Sequence, residues 1–371
     1  SRWAKRVKPP DTANYGQISS LNESIKAGDI ILVKEVLPLP ENPADPVAFT
    51  LEQAPLAQSA LLSLEANTGY VVAMVGGYDF KDSKYNRALQ GERQPGSSFK
   101  ALLYSAAIDK GFTPSSIIVD SPMIFDNQGG PNLKWIPENN SEKFYGDTPL
   151  RTAIINSRNI PAVKLLQEIG LPYFVKYLQN LGLSGEVNPD LSLALGSKTI
   201  SLLELTKLYA LFPRLGTRIE PVFVLKVTDR DGNKLEEYSF KEFQQELSKR
   251  WLERKQKSSG EAGPEAAPDP NTSTGKEPVV VKEKPLDPPT FDDPLRAMDE
   301  KTAFVMSHLL QEVVLYGTGS GARVLKRKVG GNGCARAARG TARRAAEVPG
   351  IVGRAVDLVV ALPVREVQRH V

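Results

Sequence analysis

Apolar positions along the chain alternate first with period two and later with period three to four. Asp29–Val33 and Ala48–Leu51 read as short strands on either side of a Pro-rich loop, Pro38 to Pro46. Ser59–Glu65 and Tyr70–Val75 flank the turn Asn67-Thr68-Gly69 and predict a hairpin. Strands that apolar suit the middle of a covered sheet. The spacing then turns helical. Ser97–Asp109 predicts a helix stopped by Gly111, and a loop-rich stretch runs on to Gly146. Thr148-Pro149 reads as an N-cap with proline at the first helical position, opening a helix to Ser157. Further helices are expected from Pro161 to Gly170, Pro172 to Leu181 and Ser201 to Phe212, the last with the capping box Ser201-Leu202-Leu203-Glu204. A second hairpin turns at Asp231-Gly232-Asn233. Lys241–Lys257 is charged and helical, and Asp299–Tyr316 carries an apolar face of Phe304, Leu309, Leu310, Val313 and Val314. The pattern gives an α/β (α+β) class, with a mostly antiparallel sheet covered by helices.

Composition narrows the chemistry. A chain of 371 residues suits two or three domains, and a net charge of +4 does not point to nucleic acid. The single cysteine, Cys334, rules out an internal disulfide. There is no apolar run long enough to span a membrane, and the start is not a signal peptide. A first residue other than methionine suggests a fragment of a longer protein. Only two histidines exist, His308 in a helical pattern and His370 near the end. A Ser-His-Asp triad or a histidine-rich metal site is therefore not expected. His308 reads as structural.

Lysine is then the available base for a serine nucleophile. Gln94-Pro95-Gly96-Ser97-Ser98-Phe99-Lys100 opens a helix, and residues three apart share a face. A desolvated Lys100 amine beside the Ser97 hydroxyl can take its proton. Unpaired N–H groups at the helix start suit an oxyanion. Serine-x-x-lysine alone is weak: Ser273–Lys276 repeats it in a Pro/Glu/Lys-rich stretch, and the alternative is an ordinary helix start with an exposed lysine. Ser157-Arg158-Asn159, between two helices, adds a hydroxyl and an amide, though a capping turn needs the same residue types and Ser20–Asn22 repeats the pattern. Gly317-Thr318-Gly319 reads as a helix stop and turn.

In this order, Gln94–Lys100, Ser157–Asn159, Gly317–Gly319 and Lys328-Val329-Gly330-Gly331 resemble the transpeptidase domain of class A, bifunctional penicillin-binding proteins. Val72–Gly77, Tyr85–Ala88 and Leu193–Gly196 agree with it. The resemblance covers residues 55–331, with a mobile insertion at about 258–294, and makes 1–54 the end of a small outer β domain. It implies the penicillin-binding/β-lactamase-like fold and a periplasmic D,D-transpeptidase that cross-links peptidoglycan. Ser97 would be acylated by D-Ala–D-Ala, Lys100 would be its base, Ser157 a proton relay to the leaving nitrogen, and Asn159 a substrate-amide ligand that orients Lys100. No metal or cofactor is implied. Implied partners are stem peptides, β-lactams and other cell-wall synthesis proteins, with the membrane reached only through an upstream anchor. The alternatives are a β-lactamase or D,D-carboxypeptidase, and a non-catalytic cell-wall scaffold.

The chain departs from this family after Gly331. The family places lysine-threonine-glycine next; here Asn332-Gly333-Cys334 follow. Lys198-Thr199 and Lys301-Thr302 lie in helical contexts and cannot substitute. From Asn332 the composition turns Ala-, Arg-, Gly- and Val-rich, with no lysine and no aromatic residue. We hypothesise a shift of reading frame near Gly331, making 332–371 an aberrant tail. The nucleotide sequence across codons 328–334 tests this: if no alternate frame restores Lys-Thr-Gly, the idea fails. A chain without that motif is expected to be impaired and marginally folded, with its sheet incomplete and one strand edge open.

Overall fold

The computed structural model describes residues 25–36, 48–52, 58–126, 134–260, 287–325 and 357–364. Most of the insertion, the motif region at 328–334 and most of the tail lie outside the described residues. The chain divides into two compact units, Ser59–Val364 and the remainder. In the smaller unit, β1 (Leu32–Val36) and β2 (Ala48–Glu52) pair antiparallel, Leu32 opposite Glu52 and Val36 opposite Ala48.

At the start of the larger unit, β3 (Gln58–Glu65, all but its first residue in this unit) and β4 (Val71–Val75) form the expected hairpin. Short β5 (Glu92–Arg93) leads to a 3₁₀ turn, Gly96–Phe99, which runs into α1 (Lys100–Asp109). The stretch expected as loop holds β6 (Ile117–Asp120), β7 (Phe125–Asp126), β8 (Lys134–Trp135) and β9 (Gly146–Pro149). Then come α2 (Leu150–Ile155), α3 (Asn159–Ile169), α4 (Leu171–Leu181), β10 (Ile200–Ser201) and α5 (Leu202–Ala210). β11 (Lys226–Thr228) and β12 (Lys234–Glu237) form the second hairpin. α6 (Phe240–Gly260), α7 (Glu300–Tyr316) and β13 (Asp357–Val364) complete the order.

The core is helical. α1 is apolar all round, as a central helix must be, and it is buried along nearly its whole length. It packs against α2, α3, α4 and α7. Phe99, Leu102, Leu103, Leu166 and Phe174 have no exposed surface. α7 turns Ala303, Met306 and Leu309 into this core, with Leu310 and Val313 packed at its margin, while Phe304 meets His308 edge to face.

β6 pairs antiparallel with β9, Ile118 opposite Thr148, and so positions the start of α2. That long-range pairing has no local signature, which is why the stretch reads as loop in the sequence. Pro149 is the N-cap of α2 rather than its first residue. Thr148 leaves the cap and donates to the Gly146 carbonyl at 3.0 Å. The capping box on α5 is half formed. Ser201 Oγ accepts from the Glu204 N–H at 3.1 Å, but the Glu204 carboxylate accepts instead from the N–H and hydroxyl of Ser184 at 2.6 and 2.7 Å.

The sheet side corrects one expectation. β4 is not covered: Val72, Met74 and Val75 are exposed. Apolar composition says what a strand is suited to bury, but burial needs elements on its faces, and among the described residues β4 is the last strand of its sheet. Sheet order is β13–β3–β4, so a strand from the compositionally foreign tail occupies the place next to β3. Asp-Leu-Val-Val-Ala-Leu-Pro-Val supplies β-branched residues that suit pairing to a free edge. Its Pro363, which cannot donate to a ladder, lies on an outer strand, where proline is tolerated.

Candidate active site

The Ser97 turn is held from below. Phe99 is buried and meets Phe174 edge to face at 6.1 Å between ring centroids. The Tyr209 hydroxyl donates to the Ser98 carbonyl at 2.5 Å, and burial pushes that phenol above its usual range, so it remains a donor. Gly196 lies directly beneath. Its φ is +78°, and a Cβ there would sit 2.2 Å from the Gly96 carbonyl oxygen, so only glycine fits. These contacts present Ser97 at the surface as an exposed side chain.

Lys100 begins α1, and its N–H bonds the Ser97 carbonyl. In a 3₁₀ turn, side chains three apart eclipse one another, which puts residues 97 and 100 on one edge. The two environments differ sharply. Lys100 is only 2 % exposed. Its Nζ donates to the Ser157 carbonyl at 2.7 Å, to Ser157 Oγ at 3.3 Å and to Asn159 Oδ1 at 2.7 Å. Burial lowers its pKa from 10.5 to about 8. An amine poised there holds a useful neutral fraction near neutral pH and can accept a proton.

The Ser157–Asn159 corner has a specific backbone cause. α2 ends in a six-to-one, five-to-two pair of bonds: the Arg158 N–H to the Ala153 carbonyl and the Ser157 N–H to the Ile154 carbonyl, both 3.0 Å. This is a Schellman ending, in which the residue after the cap adopts the left-handed region, usually as glycine. Here it is Ser157, with φ +52°. A non-glycine residue in that region is strained, and such strain collects at functional sites. The reversal turns both the carbonyl and the hydroxyl of Ser157 onto Lys100. α3 starts two residues later, so Asn159 is its first residue rather than part of the connection, and its Oδ1 reaches the same amine.

Ser97, Lys100, Ser157 and Asn159 therefore occupy one locality: Lys100 touches both residues of the corner and shares its turn with Ser97. His308 lies on α7, where its ring meets that of Phe304. Gly317, in the glycine-threonine-glycine stretch, ends α7 against α2; a Cβ there would sit 2.0 Å from the Ile155 carbonyl oxygen. The close approach explains the glycine. Among the described residues, no group of three His, Cys, Asp or Glu side chains could hold a metal ion, and no helix is long and apolar enough to cross a membrane.

Three supports escape a reading of the sequence. Tyr209 sits in an ordinary apolar helix. Gly196 is visible only as part of Leu193–Gly196. Asn139, whose Oδ1 accepts from the Asn159 N–H at 2.8 Å, lies among loop-type residues.

Residues 60–276 match the penicillin binding protein transpeptidase domain. The chain is 34% identical over 286 residues to penicillin-binding protein 1A of Pseudomonas aeruginosa, covering 74% of this chain and 33% of the relative. It is 40% identical over 185 residues to penicillin-binding protein 1A of Neisseria meningitidis serogroup A, covering 50% of this chain and 23% of the relative. Among solved structures, penicillin-binding protein 1A from Haemophilus influenzae superposes with a TM-score of 0.56 at 28% identity, covering 73% of this chain and 37% of that one. The chain belongs to the penicillin-binding protein transpeptidase family, and its α/β fold is the one that family shares. It spans a third or less of the length of these curated relatives.

Proposed function

We propose that this chain carries the acyl-transfer site of a peptidoglycan D,D-transpeptidase acting on the periplasmic side of the bacterial inner membrane. The observation that carries the reading is the buried Lys100 amine, joined to Ser157 and Asn159 and set one 3₁₀ turn from exposed Ser97. Lys100 takes the Ser97 proton as Oγ attacks the penultimate D-Ala carbonyl. The Ser97 N–H supports the oxyanion. As the C–N bond breaks, the proton passes through Ser157 to the leaving D-Ala nitrogen, leaving an ester on Ser97. An acceptor amine then displaces Ser97 and the hydroxyl regains its proton. Asn159 binds the substrate amide and orients Lys100. A β-lactam enters by the same first step and stays as the acyl-enzyme. Residues 55–331 form the transpeptidase domain on this reading, and 332–371 are the aberrant tail.

The absence of Lys-Thr-Gly after Gly331 removes the carboxylate-binding pair and the strand that would give the second oxyanion donor. One such donor is worth about 10²–10³ in rate. The test is labelling by a fluorescent penicillin. The chain as it stands is expected to label slowly and only at Ser97, and a frame-restored chain to label faster by about that factor. Labelling that persists in Ser97→Ala, or no labelling of the frame-restored chain, overturns the reading. Equal rates in the two chains overturn the impairment alone.

A further inference from the structure

The first residue of α3 carries the amide that holds Lys100, yet the residue capping that helix, Arg158, contributes no capping side chain. The cap comes from elsewhere. Asn139 Oδ1 accepts from the Asn159 N–H at 2.8 Å and the Ile160 N–H at 3.2 Å. Asn139 is itself 4 % exposed. Its Nδ2 donates to both carboxylate oxygens of Asp120, at 2.9 and 3.1 Å, and to the Lys143 carbonyl at 2.9 Å. Asp120, on β6, is fully buried and faces Arg158 at 3.7 Å. Arg158 also donates to Thr148 Oγ1 at 2.8 Å and lies over the Tyr145 ring. The side-chain amide of Asn159 is fixed from the same loop, donating to the Glu138 carbonyl at 2.8 Å.

A buried donor and acceptor on one side chain, each satisfied by a different element, makes an orienting strut, because rotating it would leave both partners unpaired. We propose that Asn139 is a positioning residue for the active site: braced by Asp120, it fixes the start of α3 so that Asn159 Oδ1 meets the Lys100 amine. The proposal rests on Lys100 being the base, and it deepens that reading by one further residue pair. It also gives the β6–β9 segment a purpose, since Asp120 ends β6 and Asn139 lies in the connection to β9.

The test reads Lys100 itself, not acylation of Ser97, so its failure is distinct from failure of the transpeptidase reading. The full chain is pulse-acetylated with acetic anhydride, and Lys100 modification is compared by mass spectrometry with that of exposed Lys84. Asn139→Ala is expected to raise Lys100 modification about tenfold, the factor one hydrogen bond to a charged group corresponds to. Asn139→Asp alone sets two carboxylates face to face and is expected to do the same. The exchange Asp120→Asn with Asn139→Asp restores one carboxylate and one amide and keeps acceptors on the α3 N–H groups, though the Lys143 carbonyl loses its donor, and should return Lys100 most of the way to its protected level. Leu62→Ala, which destabilises from the sheet side, should leave Lys100 unchanged. Unchanged Lys100 in Asn139→Ala overturns the proposal, as does an equal rise in Leu62→Ala. If Asn139→Ala does not fold, the double exchange decides: a folded chain with protected Lys100 supports the strut, and a folded chain with reactive Lys100 overturns it.

Discussion

Leu102 and Leu103 on α1 have no exposed surface, whereas Val72 and Val75 on β4 are 58% and 52% exposed. Both stretches are strongly apolar in sequence. What differs is company. α1 has helices on all sides, so its side chains are buried whichever way they point. β4 has β3 on one flank and lies at the edge of a three-stranded sheet among the described residues. The proposed base and its partners sit on the helical side, at the start of α1 and in the corner between α2 and α3. The contacts of Lys100 with Ser157 and Asn159 can thus be assembled by helix packing alone. The rest of the proposed site, expected from residues after Gly331, lies outside the described residues.

The contrast can be broken by truncating one side chain in each region. Leu102→Ala should cost roughly 2–5 kcal/mol in chemical denaturation, because a cavity in a tightly packed helical core relaxes poorly. The same measurement on exposed Val72→Thr anchors the other end, with a change within about 0.5 kcal/mol. Similar losses at both sites would refute the distinction.

Lys100 gives the next effect. Its folded pKa is lowered by burial from 10.5 to about 8, so between those values the unfolded chain binds more protons. Stability should therefore rise by about 3 kcal/mol as pH climbs from 8 to 10.5, and be lost as pH falls through about 8. Lys100→Met should abolish that slope. Melting curves over this range check it; a slope that survives in Lys100→Met would place its origin elsewhere.

Asp109, at the far end of α1, is the acidic counterpart. Burial raises its pKa from 3.8 to about 6, partly offset by the Tyr173 hydroxyl, which donates to it at 3.2 Å. Its neutral form suits the fold. The associated stability is complete below pH 4 and lost as pH rises through about 6. Asp109→Asn should gain about 3 kcal/mol at pH 7 and show no gain below pH 4.

Ser157→Gly separates stability from chemistry at the corner. Glycine relieves the left-handed backbone, so the chain should gain about 1 kcal/mol. Penicillin labelling should fall with the lost hydroxyl. A fall in both, or a rise in both, would mean that Ser157 is not held at a cost for its hydroxyl.

Spacing within one turn or one helix is a local property, and it made much of this protein legible. The β3–β4 hairpin, the Ser97–Lys100 turn, and the bounds of α4, α5 and α7 follow from residues at most a few positions apart. The class of chemistry was legible through the family resemblance that Gln94–Lys100 and Ser157–Asn159 carry. The sequence could not show that α1 is buried and β4 bare, because apolar runs do not name their neighbours. Nor could it show that a strand from the tail would lie beside β3, since strand pairing satisfies an edge by hydrogen bonds that any suitable backbone can make. The Lys100 contacts join residues 57 and 59 positions apart, and the Tyr209 bond to Ser98 spans 111. Such contacts carry no period. Only the folded chain decides them, by bringing together groups that must be paired once water is excluded.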